Sequence, residues 1–224
     1  MADERRRLPP RRPTIRQANR IAAQAASRAP ARRILSRGFY DRETEIVARE
    51  LLGATLECRT PEGVASGRIV ETEAYLGEHD AACHAAVGRT ERTSPLYGRP
   101  GIAYVYFIYG VHWCINAVTR AEGLPSAVLI RALEPVSGIE LMRERRGNHA
   151  RDRDLTNGPG KLCEALGIDR RMNWCSLQRG PVVIREGNAV AEESVVVTAR
   201  IGIRKAADWP LRYYIKDNEY VSRR

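Results

Sequence analysis

The chain has 224 residues, 43% hydrophobic and 29% charged, enough for one sizeable core but with no run near the ~20 apolar residues that span a bilayer. Its five cysteines form an odd set without a C-x-x-C pair, which argues for reduced intracellular thiols over a disulfide framework, and no apolar secretion signal opens the chain. The net charge of +10 is uneven: residues 1–33 hold ten arginines against Asp3 and Glu4, leaving 27 basic and 25 acidic groups in residues 34–224.

That first segment, broken by Pro9, Pro10, Pro13 and Pro30, reads as a basic, disordered tail preceding one domain over residues 34–224. Either it adds salt-dependent affinity for a polyanion or it is a solubilising arm. Residues 41–52 predict a helix capped by Asp41, with Ile46, Val47, Leu51 and Leu52 as its apolar stripe and Gly53 as its stop. Short strands follow at 54–59, 65–76, 102–108, 111–118 and 127–134, rich in β-branched and aromatic residues. Ser137-Gly138-Ile139-Glu140 reads as a capping box opening a helix to about Arg146, and a polar loop covers 147–158. Pro159–Leu166 predicts a short helix ended by Gly167, after which alternation returns in VVI, SVVVTARIGI and LRYYI. The links between strands are too short for crossover helices. The expected fold is therefore mixed α/β (α+β): a single domain with a curved, largely antiparallel sheet flanked by helices and a protruding β-hairpin.

Chemistry concentrates between residues 69 and 116, where five of the nine tyrosines stand: Tyr75, Tyr97, Tyr104, Tyr106 and Tyr109. With a period of two, Ile69, Glu71, Glu73 and Tyr75 share one strand face. A carboxylate among apolar and aromatic neighbours lines a cleft or meets an arginine, and can hold water for attack. The bland alternative is a surface ladder of acids paired with arginines on the next strand. Further on, YVYFIYGVHWCIN reads as strand, turn, strand, with Gly110 supplying positive φ and Tyr109 projecting as a wedge or as a cap on the hairpin end. With a two-residue Tyr109-Gly110 turn, Tyr106 opposes Trp113 and Asn116 points to the other face. Tyr106 and Asn116 can share a pocket only if the loop has an odd count or a bulge. Lysine is scarce, with only Lys161, Lys205 and Lys216, which suits hydrolysis better than imine chemistry. Lys161 follows Gly158-Pro159-Gly160 at a helix start, a candidate phosphate cradle without a full P-loop pattern.

VETEAYLG, D-A-A-C-H, PG-x-x-YVYFIYG-x-H-W-C-x-N, LIRALEP and GPGKL, in this order, resemble the alkyladenine (3-methyladenine) DNA glycosylase family over about residues 36–216. The resemblance implies a monofunctional enzyme that hydrolyses the N-glycosidic bond of flipped-out alkylated purines and often hypoxanthine, in double-stranded DNA, as a monomer without cofactor or metal. It assigns catalysis to Glu73 and leaves Glu71 structural, with Arg131 beside the attacking water and a backbone phosphate. Tyr75, His84 and Tyr106 sandwich the base, and Asn116 crowds the guanine 2-amino group. Tyr109 intercalates, with Val111 and His112 in the minor groove. One departure bears on substrate preference: Leu96-Tyr97-Gly98 stands where many relatives have Met-Phe-Gly. Electron-rich phenol faces attract a cationic alkylpurine by ~0.5–2 kcal/mol each, and damaged or mispaired bases are the cheapest to flip. Three competitors are a zinc site from Cys83, His84, His112 and Cys114, a non-catalytic stacking platform, and an enzyme of free nucleosides.

Overall fold

The computed structural model describes residues 32–148 and 150–223. The tail expected at 1–33 lies almost wholly outside the described residues. Two short helices open the domain, α1 (Arg37–Tyr40) and α2 (Thr44–Glu50). The expected helix at 41–52 is thus shorter, and Asp41 does not cap it. The Asp41 N–H instead closes α1 on the Arg37 carbonyl. Burial sets the true start, because the Thr44 hydroxyl is fully buried and hydrogen-bonded to that of Thr119 at 2.9 Å. Leu51 and Leu52 lie beyond the last helical turn yet stay buried, and Gly53 turns the chain with φ +86°.

Eight strands follow in one open sheet, all paired antiparallel. They are β1 (Thr55–Thr60), β2 (Gly63–Tyr75), β3 (Ala103–Ile108), β4 (His112–Val118), β5 (Ala127–Ser137), β6 (Val182–Arg185), β7 (Val195–Thr198) and β8 (Arg212–Ile215). The order is β3-β4-β5-β2-β1-β6, with β8 on β2 and β7 on β8. The thirteen-residue β2 is the spine. It pairs with β5 along most of its length, while its other edge takes β1 over Gly63–Arg68 and β8 over Glu71–Glu73. Between Ile69↔Leu133 and Thr72↔Ile130 the register slips twice, leaving Val70 and Arg131 as extra residues on the two strands. Paired bulges of this kind raise local twist and re-aim side chains. They place Arg131 opposite the two carboxylates of β2.

Helices α3 (Ile139–Arg146) and α4 (Pro159–Leu166) pack on each other and on β2, and α4 also packs on β4 and β5. No described helix is long and apolar enough to cross a membrane. The helix from 139 to 146 forms where expected, but its capping box does not. Gly138 occupies the cap position in the left-handed region at φ +71°, and a Cβ there would come within 2.4 Å of the Val64 carbonyl oxygen. Ser137 belongs to β5, its hydroxyl hydrogen-bonded to Ser66 at 2.8 Å. Helix α4 matches its sequence signals, with Pro159 in the first turn and left-handed Gly167 closing on the Cys163 and Glu164 carbonyls.

Candidate active site

The β3–β4 hairpin carries the first wall. Tyr109 and Gly110 both have positive φ, 55° and 71°, and the Val111 N–H donates to the Ile108 carbonyl at 3.3 Å. The ladder resumes with Ile108 opposite His112, so the loop holds three residues. The two-residue turn is therefore corrected: Tyr106 opposes Cys114, not Trp113, and Tyr104 opposes Asn116. This odd count puts Tyr104, Tyr106, Cys114 and Asn116 on one face, while Phe107 and Trp113 pack ring to ring at 4.7 Å on the other.

That first face borders a cavity of about 460 Å³, also lined by Tyr75, His84, Arg131 and Lys161. His84 opens a 3-10 turn, its Nδ1 2.9 Å from the Tyr104 hydroxyl and its ring edge-on to Tyr106 with centroids 4.5 Å apart. Burial, helped by the Arg92 charge, pushes the His84 pKa down to about 4, so the imidazole is neutral at neutral pH. Asn116 is buried, and its amide N–H donates to the Tyr104 carbonyl at 3.1 Å, which orients the amide. Tyr104 was not expected among the pocket residues. Its signal was the hairpin register, which places it on the face of Tyr106.

Behind Tyr75 and Arg131 lie the two carboxylates of β2. Glu71 and Glu73 have no solvent exposure, so they are not a surface ladder. Glu73 accepts hydrogen bonds from the Tyr75 hydroxyl (2.9 Å) and the Ile201 N–H (2.7 Å), and pairs with Arg131 Nη1 at 3.2 Å. Glu73 is not itself part of the cavity lining, whereas Tyr75, Arg131 and Ile201 all are. Burial raises its pKa against the pull of Arg131 and the other two donors, making it a stronger base than a solvated carboxylate. Glu71 has a different environment. It accepts from Arg131 Nε (3.1 Å), Arg212 Nε (2.7 Å), and the Ser222 N–H (2.7 Å) and hydroxyl (2.9 Å). Four donors saturate it, so Glu71 anchors the C-terminal segment and aims Arg131.

An ion pair not foreseen from sequence braces the same wall. Arg200 grips both Asp80 oxygens at 2.5 and 2.8 Å with its side chain fully buried, and its guanidinium lies 4.7 Å from the Tyr75 ring centroid. Asp80 also accepts from the Leu76 and Ala82 N–H groups, tying down the loop that carries His84. Asp80 sits within the D-A-A-C-H block, but Arg200 is 120 residues away and no local pattern links them.

At the mouth, Tyr109 is 80% exposed at the hairpin tip, with Val111 and His112 exposed beside it. The His112 ring packs on Gly160, where a Cβ would lie 2.8 Å from Cγ. Lys161 Nζ donates to Asn157 Oδ1 at 2.8 Å, and Asn157 in turn donates to Asp154. The structure thus brings Tyr75, His84, Tyr106, Asn116, Arg131, Lys161, Tyr109 and His112 around one cavity, with Glu73 directly behind it and Val111 outside it.

The family model for methylpurine-DNA glycosylase (MPG) matches residues 38–219. A relative from Carboxydothermus hydrogenoformans, named as a candidate 3-methyladenine DNA glycosylase, is 48% identical across 85% of this chain and 100% of its own length. Relatives of the same designation from Methanoculleus marisnigri and Legionella pneumophila are 50% and 45% identical, each across 85% of this chain and 99% of their own length. The fold, the site and these matches define a DNA glycosylase of alkylated-base excision repair, a hydrolase whose substrate is DNA. The chain belongs to the methylpurine-DNA glycosylase family.

Proposed function

We propose that the cavity receives an alkylated purine everted from duplex DNA and that Glu73 directs its removal by water. The chain acts as a monomer and as a monofunctional glycosylase on 3-methyladenine and 7-methylguanine, with hypoxanthine and ethenoadenine as further substrates. The observation that carries this reading is the fully buried Glu73, held by two hydrogen bonds and an ion pair from residues that all line an aromatic cavity. An ionised carboxylate can accept all three, and its raised pKa suits it to take a proton from water.

In the reaction the water oxygen bonds to C1′ of the sugar as the bond from C1′ to the purine nitrogen breaks. The electron pair of the broken bond stays on the base, and the water proton passes to Glu73. Positive charge developing on the sugar is offset by the carboxylate, while Arg131 keeps that carboxylate ionised and meets a backbone phosphate. With three partners where Glu71 has four, Glu73 keeps an acceptor position for water, which approaches from the cavity that Tyr75, Arg131 and Ile201 line. Tyr75 stacks one side of the base and the joined His84 and Tyr106 rings the other. Asn116, its amide fixed by the Tyr104 carbonyl, excludes a guanine 2-amino group. Tyr109 fills the gap left in the duplex, Val111 and His112 follow the minor groove, and Lys161 meets a phosphate.

Excision from duplexes that each carry one of these lesions tests the reading, with Glu73→Gln alongside. The variant is expected to lose excision by at least about a thousandfold, equivalent to ~4 kcal/mol of barrier, while still retaining the lesion duplex. Excision by Glu73→Gln within tenfold of the parent would remove Glu73 from the mechanism.

A further inference from the structure

Each aromatic wall of the cavity carries an arginine that does not itself line it. Arg200 lies over Tyr75 at 4.7 Å, and Arg92 lies over Tyr106 at 5.8 Å. Arg92 faces instead a neighbouring concavity, which shares Ala82, Cys83, His84 and Ile203 with the cavity wall. The two arginines differ in what offsets them. Arg200 is matched by both oxygens of Asp80. Arg92 is exposed, and beside the cavity it meets the Tyr106 ring face and acts on the imidazole of His84 through its charge, neither of which cancels that charge.

We propose that Arg92 sets the balance between cationic and neutral damaged bases, disfavouring cationic alkylpurines relative to neutral lesions such as hypoxanthine. This rests on the cavity being the seat of an everted purine. Two effects act in the same direction. A guanidinium against Tyr106 draws ring electron density toward itself and repels a cation stacked on the ring, so part of the cation–π attraction is lost. The second concerns the leaving group. Breaking the glycosidic bond leaves its electron pair on the base, so an N7-alkylated purine departs neutral while hypoxanthine departs with negative charge until it is protonated. A fixed positive charge beside the base favours only the second departure.

The test is single-turnover excision of 7-methylguanine and of hypoxanthine from otherwise identical duplexes by the full chain, Arg92→Gln, Arg92→Met and Arg92→Lys. Arg92→Gln and Arg92→Met are each expected to raise the ratio of 7-methylguanine to hypoxanthine rates by roughly threefold to tenfold, within the range of one cation–π contact. Arg92→Lys keeps the charge and stays within about twofold of the parent ratio. A purely structural role slows both lesions alike, and an unmoved or lowered ratio in the uncharged variants overturns the proposal. Two uncharged replacements guard against one failing to fold. If the parent enzyme excises neither lesion, the failure lies with the reading of the cavity and not with Arg92.

Discussion

The Tyr75 hydroxyl donates to Oε2 of Glu73 at 2.9 Å, from two residues further along the same face of β2. One hydrogen bond therefore couples a ring that lines the cavity to the carboxylate behind it. Tyr75→Phe keeps the ring and removes the bond. Excision should fall about tenfold, the scale of one hydrogen bond to a charged group, with lesion-duplex affinity unchanged. Because that hydroxyl lowers the Glu73 pKa, its loss should move the acid limb of the pH–rate profile to higher pH. An unshifted limb with a parental rate would show that the bond plays no part.

Glu71 and Glu73 should respond oppositely to amide substitution. Glu71→Gln leaves Arg131 and Arg212 without their shared buried charge, a change expected to cost about 3–5 kcal/mol. Glu73 has a raised folded pKa, so the folded state binds its proton more tightly than the unfolded state does. Its carboxylate thus subtracts stability as pH rises through that pKa. Glu73→Gln removes that cost, while Arg131 keeps Glu71. Urea titration at neutral pH should place Glu73→Gln at or above the parent and Glu71→Gln well below it. The reverse order would undo the division of labour between the two carboxylates.

The depressed pKa of His84, about 4, has a definite sign. As pH falls, the unfolded imidazole takes its proton near ~6.5 and the folded one only near the lower value. Stability from neutral His84 is complete above the unfolded pKa and is lost as pH drops from there toward the folded one. The His84 ring resonances should stay unshifted from pH 8 down to 5. A titration midpoint close to that of a solvated histidine would contradict the buried contact with Tyr104.

Tyr109 holds a left-handed backbone at a position 80% exposed. Tyr109→Gly should leave stability unchanged or raise it by up to ~1 kcal/mol by relieving that strain. If Tyr109 is the proposed wedge, its removal should nevertheless raise the enzyme concentration needed to capture a lesion. Single-turnover rates at limiting enzyme, set beside thermal unfolding, separate the two effects. Equal capture by the glycine variant and the parent would reduce Tyr109 to a surface residue.

Alternation and turn chemistry were enough to locate most strands to within one or two residues, to put Glu71, Glu73 and Tyr75 on one face, and to close α4 between Pro159 and Gly167. These features obey periods of two and 3.6 and the φ demands of proline and glycine, all written over a few neighbouring residues. The missing capping box at Ser137 and the displaced start of α2 show where that locality ends, since both were decided by burial against distant strands.

Pairing decided the rest. A strand's period says which residues share a face but not which register its partner adopts. The three-residue hairpin loop brought Asn116 onto the face of Tyr106, and the twin bulges at Val70 and Arg131 aimed a guanidinium at both carboxylates. Asp80 and Arg200 met across 120 residues, and Arg92 came to lie over Tyr106. Such contacts follow from how the paired sheet distributes its side chains, a long-range outcome that local patterning does not encode.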